Sequence, residues 1–588
     1  MLPREKANES LLSTLTKEHS KHIQENRSYI KTVAEVLLLT ATQNISQRGH
    51  RETSDADNRG NFLAILNAIG NHDPFVKKKL TGSRNAKYTS HQIQNEILDT
   101  LAEMVRSSII NEVKESGVFS IMSDETKDTK KKEQISFVLR YYYQGAVKES
   151  FLHFESADQL DAAGLTKKII ELLERYGLDY KNNLVGQSYD GASVMSGKHS
   201  GVQACIKDVA KQAFYVHCNA HSLNLVLVDT IKAVPPADTF FALLQRLYVF
   251  LSGSHVHIKW LDTQKEMCPG TPRELQRLCD TRWACRHSAC HTVLERLPAI
   301  TCVLEKVAAE NHGERSIDAR GLLTQIDLQF IGLLVTCTKI FGENLESLES
   351  LWKEVVNTAE NSNVETEPIP KRKLKQSKML DGHTVMSSVG ERSEQTRDSF
   401  RTSIFYPVLD VMLSELKRRF SKPNCAIMMG IQALNPSSAS FCKEEALFSF
   451  ASIYACNIDD LTHEIHQMKR VLQRKVASGI QKPSNIVELT NMIEPFKDVF
   501  HELFRLCKIA IAIPVSTASC EHSFSTLKLV KTFLRSTMDD SRLSNLGVLS
   551  VESSRAKSLD MENFVNRFSK QDDMKDSVLI FIVDLILR

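Results

Sequence analysis

From residue 117 the period of the apolar positions changes to two, and three strand-like segments follow by residue 155; this stretch constrains the fold more than any other. Phe119 and Ile121 alternate with Ser120 and Met122 before the polar run Ser123-Asp124-Glu125-Thr126. Ile135, Phe137, Leu139 and Tyr141 form a second segment, and Phe151 and Phe154 anchor a third within 148–155. Side chains on a strand alternate between faces, so this reads as three adjacent strands at the edge of a sheet. Upstream, Ile93, Ile97, Leu101, Met104, Val105 and Ile109 recur at three and four, predicting an amphipathic helix over 90–113. Downstream come a helix on Leu165, Ile169, Leu172, Leu173 and Tyr176, a strand at 184–186, a helix over 200–211 and a strand at 214–217. A helix on Leu223, Val226 and Leu227 follows. The order β-β-β-α-β-α-β-α predicts a mixed α/β sheet with helices over its faces.

With 42% hydrophobic residues, 25% charged residues and a net charge of +3 over 588 residues, the chain is neither mainly disordered nor a wholly basic nucleic-acid wrapper. Its 13 Cys, an odd number without repeated spacing, do not form a secreted disulfide framework. The charged start lacks a signal-peptide core, so a reducing intracellular compartment is expected. No membrane association is expected, because the apolar tail 578–587 is interrupted by Asp584 and too short to cross a bilayer.

Asp124 ends the first strand and Asp190 the fourth. Polar groups past strand ends in such sheets gather in one crevice. Two carboxylates there suit Mg²⁺ or Mn²⁺, and a third is normally required to fix a pair of ions. Both positions equally suit ordinary Asx turns. The third candidate follows a strand-like apolar run at 511–513, where Pro514 leads into Ser516 and Thr517, residues suited to starting a helix. Phe524, Leu527 and Val530 would anchor that helix with Glu521 in its first turn, a place where an acidic residue also serves any helix N-terminus.

Five segments carry a family resemblance: 123–128 with 134–137, Gly186-Gln187-Ser188-Tyr189-Asp190-Gly191-Ala192, His217-Cys218-Asn219-Ala220-His221-Ser222-Leu223-Asn224-Leu225, Thr281-Arg282-Trp283 and Ser519-Cys520-Glu521-His522-Ser523-Phe524-Ser525. In this order, over roughly 60–570, the chain resembles hAT-superfamily transposases, the DUF4371 group in particular, of the type domesticated as MYM-type and BED-type zinc-finger proteins. The resemblance implies an RNase H-like mixed sheet with flanking helices, interrupted by a large all-α insertion. The expected divisions are a polar, partly disordered N-terminus over 1–60, a helical domain over 61–115 and the first part of the core over 116–283. A helical insertion over 284–505, with a flexible loop at about 355–398, precedes core completion and dimerisation over 506–570 and a tail over 571–588. By motif match, Asp124, Asp190 and Glu521 are the acidic triad binding Mg²⁺ or Mn²⁺ for DNA cleavage and strand transfer.

Cys218 and His221 have a Cys-x2-His spacing, and Cys285, His287, Cys290 and His291 lie downstream. Without a CxxC pair, zinc is not expected; structural and DNA-facing roles both stay open. Arg282-Trp283 suits stacking on an unpaired base beside a phosphate, and a buried Trp is equally ordinary. The resemblance favours the DNA role. Lys130, Lys131 and Lys132 are phosphate-contact candidates. The segment 370–375 has the composition of a nuclear import signal, so a nuclear location is expected. Leu543, Leu546 and Leu549 make a helical stripe that a second chain or the same chain would cover; the resemblance implies a homodimer or higher homo-oligomer. The first hundred residues hold no paired Cys followed by paired His, so no BED finger is expected there, and His522 stands where relatives often carry Arg. A non-catalytic nuclear DNA-associated or dimerising protein is therefore the alternative expectation.

Overall fold

The computed structural model describes residues 11–49, 52, 56–82, 87–278, 283–310, 313–342, 347–364, 396–420 and 423–570. The chain divides into two compact units, one made of 1–220 with 423–588 and the other of 221–422.

The first unit holds a five-stranded sheet in the order β3-β2-β1-β4-β5. The strands are β1 (Phe119–Lys127), β2 (Glu133–Tyr143), β3 (Ala146–Ser156), β4 (Leu184–Tyr189) and β5 (Phe214–His217). Neighbours are antiparallel between β1, β2 and β3, whereas β4 runs parallel to both β1 and β5. The tight β2–β3 turn is closed by Gln144 and Gly145, both at positive φ (46° and 79°), the backbone twist that two-residue hairpins require. Parallel pairing needs crossovers, and helices Ala162–Arg175 and Val202–Val209 supply them. This is the RNase H-like mixed sheet that the resemblance implied.

Helices cover both faces. On one, helices Leu11–Thr42, His91–Ser116 and Asp540–Val551 bury residues such as Val33, Leu101 and Leu546 against strand residues including Ile121, Phe137 and Phe154. On the other, Val118, Tyr142, Val185 and Val216 pack with Phe450, Tyr454, Leu503 and Cys507 from helices of 423–513. Each sheet face thus becomes one side of a separate apolar core.

Three expectations are corrected. The stretch 1–60 contains a 32-residue helix, Leu11–Thr42, whose Tyr29, Ile30, Val33, Ala34, Leu37 and Ala41 are buried. Its apolar face lies in the second half of the helix, 29–41, and looks polar only when averaged with the Lys, His and Glu residues of the first half. The apolar run at 511–513 is no strand: it ends helix His501–Ala512, whose Leu503, Leu506, Cys507, Ile509 and Ala512 are buried. A helix enclosed on nearly all sides loses its period and resembles a buried strand. Val355, expected to open a loop, lies in helix Leu348–Asn361 with Ala359, both buried. The remainder of that expected loop over 365–395, the import-like segment 370–375 and the tail 571–588 lie outside the described residues.

Among its described residues the second unit is helical and strand-free, with a core around Leu247, Trp260, Leu297, Leu304, Phe330 and Leu334. No single described helix is long and apolar enough to cross a membrane. The bent pair Glu314–Leu323 and Leu328–Ile340 is apolar enough together, and its Leu322, Phe330 and Leu334 lie in that core.

Candidate active site

Sheet register sets the first two acids. Met122 on β1 pairs with Ser188 on the parallel β4, and continuing that register by two residues sets Asp124 beside Asp190. Both are half-buried. Each commits Oδ1 locally: Asp124 accepts from the Glu125 N–H at 2.9 Å, and Asp190 from the Ala192 N–H at 3.2 Å. The Asp190 contact is the Asx turn that its position allowed. Gly186 is required two strand positions before Ser188: a Cβ there would stand 2.5 Å from Ser120 Oγ and 3.1 Å from Pro514 Cδ. Its bare backbone lets the Pro514 segment pass close to β4.

Several long-range bonds then deliver Glu521. The Cys218 N–H donates to the Tyr189 carbonyl (3.1 Å), and the Asn219 N–H to the Val515 carbonyl (3.1 Å). The Thr517 N–H donates to the buried Cys218 Sγ at 3.3 Å. Helix Ala518–Val530 begins there, with Glu521 half-buried in its first turn and Phe524, Leu527 and Val530 buried, as its spacing predicted. Two residues past Glu521, the Ser523 hydroxyl donates to the Cys520 carbonyl and lies 2.7 Å from the Ser136 hydroxyl. Ser136 is the β2 partner of Asp124. At the far end of the helix, Lys531 Nζ meets Asp128 Oδ2 at 2.7 Å, and neither side chain is more than 3% exposed.

The electrostatics report this convergence. Burial, the charge of Asp190 and the charge of Glu521 together push the Asp124 carboxyl up to about 7, although the Glu125 N–H bond opposes them. Glu125 is also pushed up to about 7, by burial, Asp190 and Glu133. Sequence reasoning missed it: only the aspartate was singled out in the Ser123–Thr126 segment. It likewise missed Tyr215, whose hydroxyl donates to the Asp190 carbonyl at 3.4 Å and whose phenol is raised by burial and by Asp190. Among the described residues no group of three or more His, Cys, Asp or Glu side chains is spaced to hold an ion as it stands. The donor chemistry nevertheless fits a hard divalent cation: the donors are carboxylate oxygens, and their mutual repulsion is what such an ion relieves.

The remaining candidates separate. Lys132 Nζ is paired with Asp540 at 2.8 Å, while Lys130 and Lys131 are exposed on the β1–β2 turn. Asp128 holds that turn by accepting from the Lys130 and Lys132 N–H groups. Cys218 is buried between Tyr189 and Thr517, to which it is bonded, and His221 is half-buried in helix Asn219–Ala233. Trp283 opens helix Trp283–Ala308, but its side chain and all of Arg282 lie outside the described residues. The stripe Leu543, Leu546, Leu549 is covered by its own chain, at 0–2% exposure. Its helix is bonded to helix His91–Ser116 through Arg106–Ser544 (3.2 Å) and Asn545–Asp99 (3.0 Å). A Cβ on Gly547 would lie 2.7 Å from the Phe154 ring.

Comparison with known proteins gives two family matches and two relatives. Residues 4–201, which carry Asp124 and Asp190, match the DUF4371 family, described as "ZMYM1/FAM200, RNase-like domain". Residues 463–554, which carry Glu521, match the hAT family C-terminal dimerisation region. The human and mouse proteins named "52 kDa repressor of the inhibitor of the protein kinase" are 24% identical over 601 residues and 23% identical over 600. Each alignment covers 94% of this chain and 78% of the relative. Over residues 4–201 and 463–554 the chain is thus similar to the DUF4371 RNase-like domain and the hAT C-terminal dimerisation region, in that order.

Proposed function

We propose that this protein binds DNA and cuts it with Mg²⁺ or Mn²⁺ at Asp124, Asp190 and Glu521, acting in the nucleus as a homodimer. One observation carries the reading: three carboxylates, the outer two 397 positions apart in the chain, approach closely enough that Asp190 and Glu521 both raise Asp124. Divalent ions at such a centre sharpen water or a 3′-hydroxyl as nucleophile and stabilise the departing oxygen. With Oδ1 committed to the backbone in Asp124 and Asp190, Oδ2 is the oxygen each would present. Glu521 would complete the ligand set from its helical turn. Ligation needs ionised carboxylates, so activity rises with pH through the neutral range in which Asp124 loses its proton. Lys130 and Lys131 would give salt-dependent phosphate contacts. The composition of 370–375 supports nuclear import.

The test is Mn²⁺-dependent strand cleavage or joining by purified wild type beside Asp190→Asn. Product from the wild type alone is expected, and equal product from both would refute the assigned centre. A second reading, a non-catalytic DNA-associated dimer, is favoured by the lack of a ready ion cage among the described residues and by the Asx turn at Asp190. DNA binding with no product from either protein would support it.

A further inference from the structure

The region matched as a dimerisation module, 463–554, hides the leucine stripe that its sequence offers and exposes a different apolar feature. Between helices Ala518–Val530 and Asp540–Val551 the chain makes a single 3₁₀ turn, Phe533–Arg535. Phe533 is 85% exposed, Leu534 93%, and Leu529, just before the turn, 57%. These are the two most exposed large apolar side chains among the described residues, joined by a third. The turn is anchored: Arg535 Nη1 donates to the Leu529 carbonyl (3.4 Å) and to the Asn44 carbonyl (3.5 Å) at the end of helix Leu11–Thr42. Leu39, in the last turns of that helix, is 49% exposed.

We infer that Leu529, Phe533 and Leu534 form the contact by which a second copy of this chain docks. Two adjacent apolar side chains in water are costly to a chain unless something covers them. The occupant follows from position: the turn lies inside the matched dimerisation region, and that region's other apolar stripe is already filled by its own chain. A two-fold contact uses the same patch on both partners, so one short segment can supply both halves of it. The inference rests on the proposed self-association and names its surface.

The test is the mass of the full chain by sedimentation equilibrium across micromolar concentrations, for wild type and for Phe533→Ser/Leu534→Ser. Both positions are solvent-exposed, so the variant should keep the wild-type circular dichroism. The inference expects a wild-type dimer whose dissociation constant rises at least about tenfold in the variant. A wild-type dimer that the double change leaves intact overturns the surface but not self-association; a wild-type monomer throughout overturns both. Phe533→p-benzoylphenylalanine resolves the occupant by photocrosslinking. An adduct of twice the chain mass supports a second copy, whereas crosslinking within one chain to 571–588, or to added DNA alone, overturns it. All of these readouts are independent of strand cleavage.

Discussion

Asp124 and Asp190 are held by backbone, and Glu521 is held by small, separate bonds. The first lies on β1 and the second just past the end of the parallel β4, so the ladder that ends at Met122 and Ser188 and the Asx turn at Asp190 set their places. The third arrives on a helix positioned by a sulfur acceptor, a pair of hydroxyls and one buried ion pair. The difference teaches that the sheet can persist while the third acid is displaced. Substitutions at the helix ties therefore separate stability of the sheet from assembly of the site.

The largest effect is expected at the buried ion pair. Lys531→Met leaves Asp128 buried without its counter-charge, at a cost of about 3–5 kcal/mol read from the urea midpoint. Burial pushes the Asp128 carboxyl up, but Lys531 and the turn N–H groups hold it below its ordinary range. The pair's contribution is thus present above the ordinary Asp range and lost as pH falls through the lower folded value. Adding Asp128→Asn should restore most of the loss at neutral pH. A Lys531→Met midpoint within error of wild type would break the comparison.

Asp124→Asn should instead stabilise, with the opposite pH dependence. The folded pKa of about 7 lies above the ordinary value, so the folded state holds this proton longer than the unfolded chain. Wild-type stability therefore declines as pH rises from about 4 to 7, and the variant escapes that decline. The gap should open across that window, reach on the order of 2 kcal/mol after allowance for partial exposure, and stay flat above it. Thermal melts at pH 5 and pH 8 measure it; equal melting temperatures at pH 8 would show that the acids do not repel.

Smaller effects are expected at the other ties. Cys218→Val removes the acceptor of the Thr517 N–H and should cost about 1–2 kcal/mol, with Cys218→Ser recovering part by keeping an acceptor. Ser523→Ala should cost about 1 kcal/mol by removing the hydroxyl shared with Ser136. Chemical denaturation measures both. If either change lowers Mn²⁺ affinity while barely moving the midpoint, it acts on Glu521 placement rather than on the sheet.

The same contrast explains what the sequence reveals. The first three strands are legible because one period-two pattern repeats with turns between. Asp124 and Asp190 are legible as strand-end acids because the apolar alternation stops at them. Glu521 is legible as a first-turn residue from Thr517, Phe524, Leu527 and Val530, yet its approach to Asp124 depends on closure across hundreds of residues. Only the family resemblance pointed to that closure in advance. The N-terminal helix and the helix ending at Ala512 were misread for different reasons, the first because its apolar face fills only its second half and the second because it is apolar on nearly all sides. The leucine stripe at 543–549 was legible as a buried face, but periodicity does not state which chain does the burying.

The most direct test of convergence is Mn²⁺ binding to the full chain by electron paramagnetic resonance at pH 8, above the Asp124 value, in wild type and Glu521→Gln. If Glu521 shares an ion with Asp124 and Asp190, its substitution lowers affinity at least about tenfold, and Asp190→Asn is expected to do the same. Wild-type affinity in Glu521→Gln, alongside loss in Asp124→Asn and Asp190→Asn, would contradict a three-carboxylate centre.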